Sequence, residues 1–416
     1  MTTTTASPTN FALSEEHNLV RTSVKQMLGR FEGKREEFRD LAIKEKRFPQ
    51  ELWDAFADVG LLGCLVPEEY GGNGMGLLAL SIGFEEICAN AFSPGLLLVT
   101  AMDSACLLKN GSPELKQKYL PGIADGTLKF CFAITEPDAG TNTFRLKTSA
   151  KRDGDPSTAP DGALRAGYYV LNGQKTFISG VDVADYMLVV ARTTSIEELE
   201  AQGKPKSQGI SLFVVDTKSA GLAKTPINIG LSEELTQFQL FFDNVRVPAD
   251  HLVGQEGNGT FAMFNSLNPE RILAAAICAG MAEYALRKAV SYAQERKVFK
   301  DTPIGAYQSI AHPLAEVKIN LEAVKLMTYR AAWAFDQGMN PAEVGTYANM
   351  AKFLGADLAI KAVDAAIETH GGMGFVEDTG LIGLWNGARL FKTAPVSREM
   401  LLNYVSEWNL GLPKSY

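Results

Sequence analysis

The 416-residue chain has no run of 18 apolar residues, so no membrane-spanning helix is expected. It is poor in cysteine. Cys64, Cys88, Cys106, Cys131 and Cys278 are scattered, with no CxxC and no Cys/His cluster. That excludes a disulfide framework and a zinc site, and it fits core thiols in a reducing compartment. The four histidines, His17, His251, His312 and His370, lack metal-ligand spacing, so no metal is expected. An excess of positive charge is also missing. The formal net charge is −8, which argues against non-specific nucleic-acid binding. The opening MTTTTASPTN has neither a basic patch nor an apolar core. Residues 1–10 therefore read as a polar, disordered tail rather than a signal peptide, in keeping with a cytoplasmic protein. No internal repeat is present, and no GxGxxG follows a strand, so a nicotinamide-type Rossmann site is unsupported.

What is present is a change of texture along the chain. Over 11–126 the pattern is helical. LSEEHNLVRTSVKQMLGRF opens with a serine cap and acidic residues, FPQELWDAFADVGLLG starts at Pro49, and GSPELKQKYLPGIADG is a short helix. EEYGGNGMG breaks the run. Over 127–248 the runs KFCFAITEP, YYVLNGQKTFIS, YMLVVART, GISLFVVDT and QFQLFFDNVRVP are strand-like. Asn172-Gly173 signals a tight hairpin, and TSIEELEAQGKPKSQ reads as a polar loop. This block is expected to be an antiparallel sheet or small barrel. Over 249–416 helical texture returns. Leu273, Ile277, Met281 and Tyr284 share one face. So do Val317, Leu321, Val324, Ala331 and Phe335, and likewise Tyr347, Ala351, Leu354 and Leu358. A C-terminal four-helix bundle follows, and the whole is a multidomain α+β protein with the order helices, sheet, helices.

Four stretches could carry chemistry. AITEPDAGTNTFRLKT delivers Thr135 and Glu136 into a Pro-Gly turn, which either exposes donors to a planar ligand or is a plain β-turn with an acidic lip. In NGQKTFISGVDVADY, Phe177 and Ser179 lie on one strand face and could stack on and hydrogen-bond a ring, or pack in a core. In YAQERKVF, Arg296 could meet a phosphate or simply be solvated. In ETHGGMGFVED, three glycines in four residues permit close approach of a ligand, where a helix C-cap needs one.

Taken in order, these stretches resemble the acyl-CoA dehydrogenase flavoprotein family, and the resemblance runs from about Phe11 to Tyr416. TEPDAGTN is similar to the family's first signature and ETHGGMGF to its second. The resemblance implies FAD between the sheet and the C-terminal bundle. Ile134, Thr135, Phe177 and Ser179 would contact the isoalloxazine, with Thr141 near the pyrophosphate. Arg296, Phe299, Gln308 and the Glu368–Gly372 segment, including Gly371, would come from a neighbouring subunit. Ser397 matches a hydroxyl residue that also touches FAD. A homotetramer, or a mixed tetramer, is implied, with an acyl-CoA substrate and an electron-transfer flavoprotein as acceptor. Departures from the family pattern are Asn142 for aspartate, Arg145 for a small residue, Phe177 for tryptophan, Glu368 for glutamine, and Asn386-Gly387 for Arg-Asp.

The reaction needs a carboxylate to take the α-proton of the thioester. Most members carry it in a YEGT-like stretch, where this chain has Pro395 in FKTAPVSREM. A minority place it on an earlier helix immediately before an arginine, which matches Glu270 and Arg271. Glu399 is the fallback. The local reading competes, because Asn268 is a good N-cap, Pro269 suits the first helical position, and a first-turn carboxylate is favoured by the helix dipole. Proline at 395 also removes a backbone N–H that the family uses toward the thioester carbonyl. Two other readings on the same fold are a flavin-poor, non-catalytic partner subunit and a flavin oxidase or monooxygenase.

Overall fold

The computed structural model describes residues 13–153, 167–230 and 235–414. The tail expected over 1–10 lies outside them. Ser14 accepts a hydrogen bond from His17 N and starts α1 (Glu15–Gly29), whose first turn carries Glu15 and Glu16. There follow α2 (Arg35–Ile43), α3 (Gln50–Asp58), α4 (Gly76–Ala89), α5 (Gly95–Asn110) and α6 (Pro113–Ala124). The glycine-rich break before α4 is a close chain approach. A Cβ on Gly72 would lie 1.9 Å from the Val66 carbonyl oxygen, so no larger residue fits.

The central part contains β1 (Phe130–Ala133), β2 (Ser149–Asp153), β3 (Tyr168–Ser179), β4 (Tyr186–Arg192), α7 (Ile196–Ala201), β5 (Ile210–Asp216), β6 (Leu222–Ile227), β7 (Gln237–Pro248) and β8 (Leu252–Val253). They form one sheet in the order β6-β7-β3-β2-β4-β5-β8, with β1 also paired to β4. Most pairs are antiparallel, but β1–β4 and β2–β4 run parallel, so the sheet is mixed and not purely antiparallel. Asn172-Gly173 makes no hairpin. Both residues sit inside β3, at a register shift against β7. Gly173 has φ 145°, and the extra residue lies on β7, where Asp243 and Asn244 face the single Asn172 as a bulge, while β3 keeps neighbours on both sides. The loop expected over 194–208 contains α7, which opens with a reciprocal capping box between Ser195 and Glu198.

The last part begins with α8 (Gly259–Glu295), 37 residues long. A small ribbon of β9 (Lys297–Val298) and β10 (Thr302–Pro303) leads to α9 (Gln308–Asp336), α10 (Pro341–His370), α11 (Leu381–Leu390) and α12 (Arg398–Tyr404). Three long helices and the shorter α11 make the bundle. Its core is not its own: one apolar cluster includes Val24, Trp53 and Phe84 together with Leu273, Val317, Ala351 and Leu381. The two helical ends of the sequence thus share a core. A Cβ on Gly280 of α8 would lie 2.3 Å from Glu85 O of α4, so these two helices meet at backbone distance. Leu354, expected to face inward, is 38% exposed, while Lys352 two residues earlier is 1% exposed.

Candidate functional site

Glu270 is not in a first turn. It lies within α8, which starts about three turns earlier, and Pro269 is inside the helix. Asn268 is therefore no N-cap. Its Nδ2 donates to Pro341 O at 3.1 Å, and its Oδ1 accepts from Arg271 Nη1 at 3.1 Å. Burial of Ala262 and Met263 before the proline, and of Ile272 and Leu273 after it, carries the helix through. The dipole explanation of Glu270 falls with its first-turn position, since that effect fades within one turn.

Glu270 is partly buried. Burial raises its carboxyl to about 7, against the opposing pull of Arg271 and Lys352. Arg271 is buried, and its Nε has no partner among the described residues. Lys352 of α10 donates to Phe391 O and Val396 O, each at 2.5 Å. It thereby holds both ends of the segment containing Pro395. Burial lowers its ammonium to about 8, with Cys278 and then Glu270 acting to raise it. Glu399, the fallback carboxylate, is exposed in the first turn of α12.

The two sheet stretches converge. Thr176 N donates to Thr135 O at 2.9 Å, which sets Thr135 beside Phe177. Glu136 is not an acidic lip. It is 6% exposed and accepts from Lys175 Nζ at 2.8 Å, Lys147 N at 2.6 Å and Thr148 N at 3.0 Å. Burial would raise its carboxyl, but Lys175 and these donors hold it below the usual range. Lys175 Nζ also donates to Ile134 O at 2.9 Å. A buried ion pair thus locks the end of β1 onto β3. Phe177 stands at a second register shift of β3 with φ 56°, and the residue is 59% exposed. Ser179 Oγ is already engaged, 2.8 Å from Gln237 Nε2. Thr141 is exposed.

A second group gathers at the far ends of α8 and α10. Tyr292 stacks on His370 with ring centroids 4.3 Å apart, which brings Arg296 to the end that carries Glu368, Gly371 and Gly372. Arg296, Phe299, Gln308, Glu368, Gly371 and Gly372 are all exposed, Phe299 at 82%. Gly371 has φ 58° and Gly372 faces open space, whereas Gly374 is fixed by packing, since a Cβ there would lie 2.7 Å from Ile367 O. Among the described residues, no hydrogen bond joins this group to Thr135–Ser179. Ser397 caps α12, accepting from Met400 N. Exposed Phe177 beside the Thr135 backbone fits a planar cofactor ring, and exposed Arg296 fits a phosphate. Among the described residues, no His/Cys/Asp/Glu group could hold a metal ion, and no helix is long and apolar enough to cross a membrane.

The sequence reading missed three charged residues near these groups: Asp103, Lys175 and Lys352, each at most 1% exposed. Asp103 and Lys352 interrupt apolar helices, as in LLLVTAMDSACLL, and that interruption was the available signal; Lys175, in the polar stretch NGQKT, gave none.

Family models for the acyl-CoA dehydrogenase N-terminal, middle and C-terminal domains match residues 14–127, 131–245 and 257–410. Acyl-CoA dehydrogenase FadE12 of Mycobacterium tuberculosis is 42% identical over 411 residues, covering 98% of this chain and 99% of that protein. Cyclohex-1-ene-1-carbonyl-CoA dehydrogenase of Geobacter metallireducens is 35% identical, over 85% and 88% of the two chains. Among solved structures, a glutaryl-coenzyme A dehydrogenase complex with glutaryl-CoA superposes with a TM-score of 0.85 at 29% identity, covering 98% of each chain. Helices, sheet and signature stretches lead to the same place as these likenesses: the chain belongs to the acyl-CoA dehydrogenase family.

Proposed function

We propose that the protein catalyses FAD-dependent α,β-dehydrogenation of an acyl-CoA thioester, with Glu270 as acceptor of the α-proton. The observation that carries this reading is the Glu270 carboxyl, partly buried within α8 and raised to about 7, where it balances between holding and releasing a proton near neutrality. FAD, when bound, supplies the hydride acceptor for the β-carbon. Thr135 and Phe177 would hold its ring, and Arg296, Phe299, Gln308, Glu368, Gly371 and Gly372 of a second copy would hold its diphosphate end, so the working form is an oligomer, homotetrameric on the family pattern. Thr141 and Ser397 would contact the same cofactor, and Ser179, bonded to Gln237, would contribute beside its ring. An electron-transfer flavoprotein is the proposed acceptor. A solved chain 27% identical to this one is described with the electron transferring flavoprotein of Acidaminococcus fermentans.

The chain's own groups divide the remaining work. Arg271 and Lys352 place positive charge near Glu270, which keeps its anionic form within reach despite burial. Lys352 fixes the 391–396 segment, where Pro395 can offer no N–H and Val396 supplies the next backbone donor. The test is Glu270→Gln, assayed by flavin bleaching on mixing with acyl-CoAs. Bleaching should fall by about 10²–10⁴-fold with FAD and thioester binding kept. Activity within a few-fold of the parent moves the role to Glu399.

A further inference from the structure

Asp103 is the buried acid that this mechanism leaves unused. It is 0% exposed, and neither carboxyl oxygen has a hydrogen-bond partner among the described residues. Native proteins rarely leave a buried polar group in that state unless something outside the chain completes it.

The packing fixes what Asp103 faces. Helices α5 and α8 pack together, with Asn265 Nδ2 3.4 Å from Asn110 Oδ1 and Cys106 Sγ 3.4 Å from Ala262 O. The pairing of Cys106 with Ser266, and of Asp103 with Glu270, shows that they run antiparallel. Ser266 lies against the Cys106 thiol. One turn further along both helices, in opposite directions, come Asp103 and Glu270. At its other side the Asp103 face of α5 meets β1, since Thr100 Oγ1 both donates to Phe130 O and accepts from Phe130 N at 3.1 Å. Asp103 therefore sits where α5, α8 and β1 join, between the proposed base and the strand leading to Ile134 and Thr135. Ser266 is also 0% exposed, and among the described residues its hydroxyl makes no hydrogen bond of good geometry.

Depth gives the direction. The CoA portion of a thioester is large and polar and must reach solvent, so the acyl chain runs inward from the α-carbon held at Glu270. Glu270 keeps an accessible edge and Asp103 has none. With the α-carbon at Glu270, an acyl chain running inward would carry the carbons beyond the β-position toward Asp103. Burial, and then the neighbouring Glu270, push the Asp103 carboxyl above the usual carboxylate range, toward the form that can donate a hydrogen bond as well as accept one.

We propose that Asp103, with Ser266 beside it, is a specificity-determining group that selects an acyl chain bearing an uncharged oxygen, a hydroxyl or carbonyl, beyond its β-carbon. This rests on the reading of Glu270 as the α-proton acceptor. A plain hydrocarbon tail would leave the donor and the hydroxyl unsatisfied, and sites built around a hydrogen bond discriminate strongly against ligands that lack the partner.

The test uses FAD-loaded Glu270→Gln protein, which binds without turnover. Affinity is measured by calorimetry for hexenoyl-CoA and for its γ-, δ- and ε-hydroxylated counterparts. At least one hydroxylated ligand should bind about 10-fold tighter or more. Adding Asp103→Leu should erase that preference, and Asp103→Asn, which keeps a donor, should retain part of it. Equal binding of all four ligands with Asp103 intact overturns the proposal and leaves the acyl-CoA reading standing; Asp103 would then be completed by a structural water. A preference that survives Asp103→Leu also overturns it. If none of the thioesters binds, the proposed function itself falls. Should Asp103→Leu fail to fold, the Asp103→Asn comparison decides.

Discussion

At the scale of single residues, the site concentrates groups whose burial opposes their charge. Glu270 makes this measurable in two ways. As a base it must be ionised, so the rate of flavin reduction should rise about tenfold per pH unit below pH 7 and level off above it. For stability the sign is opposite. Its carboxyl titrates near 4.5 in the unfolded chain and about 7 in the folded one, so between those values the folded state binds more protons. Stability is therefore lost as pH rises through that window. Glu270→Gln should relieve the cost at pH 8, stabilising by up to about 3 kcal/mol from the size of the shift. A melting temperature unchanged between parent and variant at pH 8 would remove this account. Lys352→Met tests the neighbouring charge. Loss of a nearby cation disfavours the Glu270 anion, so the kinetic midpoint should move above 7, and loss of the bonds to Phe391 O and Val396 O should weaken thioester binding. A midpoint that stays in place would show that Lys352 acts on the segment alone.

At the scale of elements, what was legible in the sequence was whatever depends on local chemistry. The serine cap of α1, the proline start of α6 and five of the strands were readable because caps and alternation are written in neighbouring residues. What failed were local signals overruled by distant partners. Asn172-Gly173 would turn a free hairpin, but β2 and β7 flank β3 on both sides and a bulge was the cheaper response. Asn268-Pro269 would start a helix, but the buried residues around it belong to one continuous α8. The same long-range packing hid Asp103 and Lys352, because a charge inside an apolar stretch cannot be assigned partners until helices from remote sequence are brought together. Glu270 was found through resemblance, not through its local signal, which suggested only a cap. Pro269→Ala follows as a test of the helix. It restores an N–H inside α8 at the loss of a buried ring; because an interior proline costs about 3 kcal/mol, the net should be stabilising, and a clear loss of stability would mean the proline shape is needed to present Glu270.

At the scale of the whole molecule, the N- and C-terminal helices are bound by charge as well as by a shared core. Asp336, the last residue of α9, accepts from Leu77 N at 2.6 Å and Leu78 N at 2.9 Å, so one end of the chain caps a helix from the other. A Cβ on Gly76 would lie 2.8 Å from that carboxylate, which leaves room only for glycine. Glu85, 3% exposed, ties α4 to α1 and α9 through Arg21, Lys325 and Tyr329. The helices at both ends should therefore unfold together. Asp336→Ala removes a cap and leaves two donors at the start of α4 without their partner, a loss of about 1–2 kcal/mol. It should lower the melting temperature while keeping a single transition in both calorimetry and helical circular dichroism. Two separated transitions would mean that each helical half stands on its own core, against the continuity of packing from Val24 to Leu381.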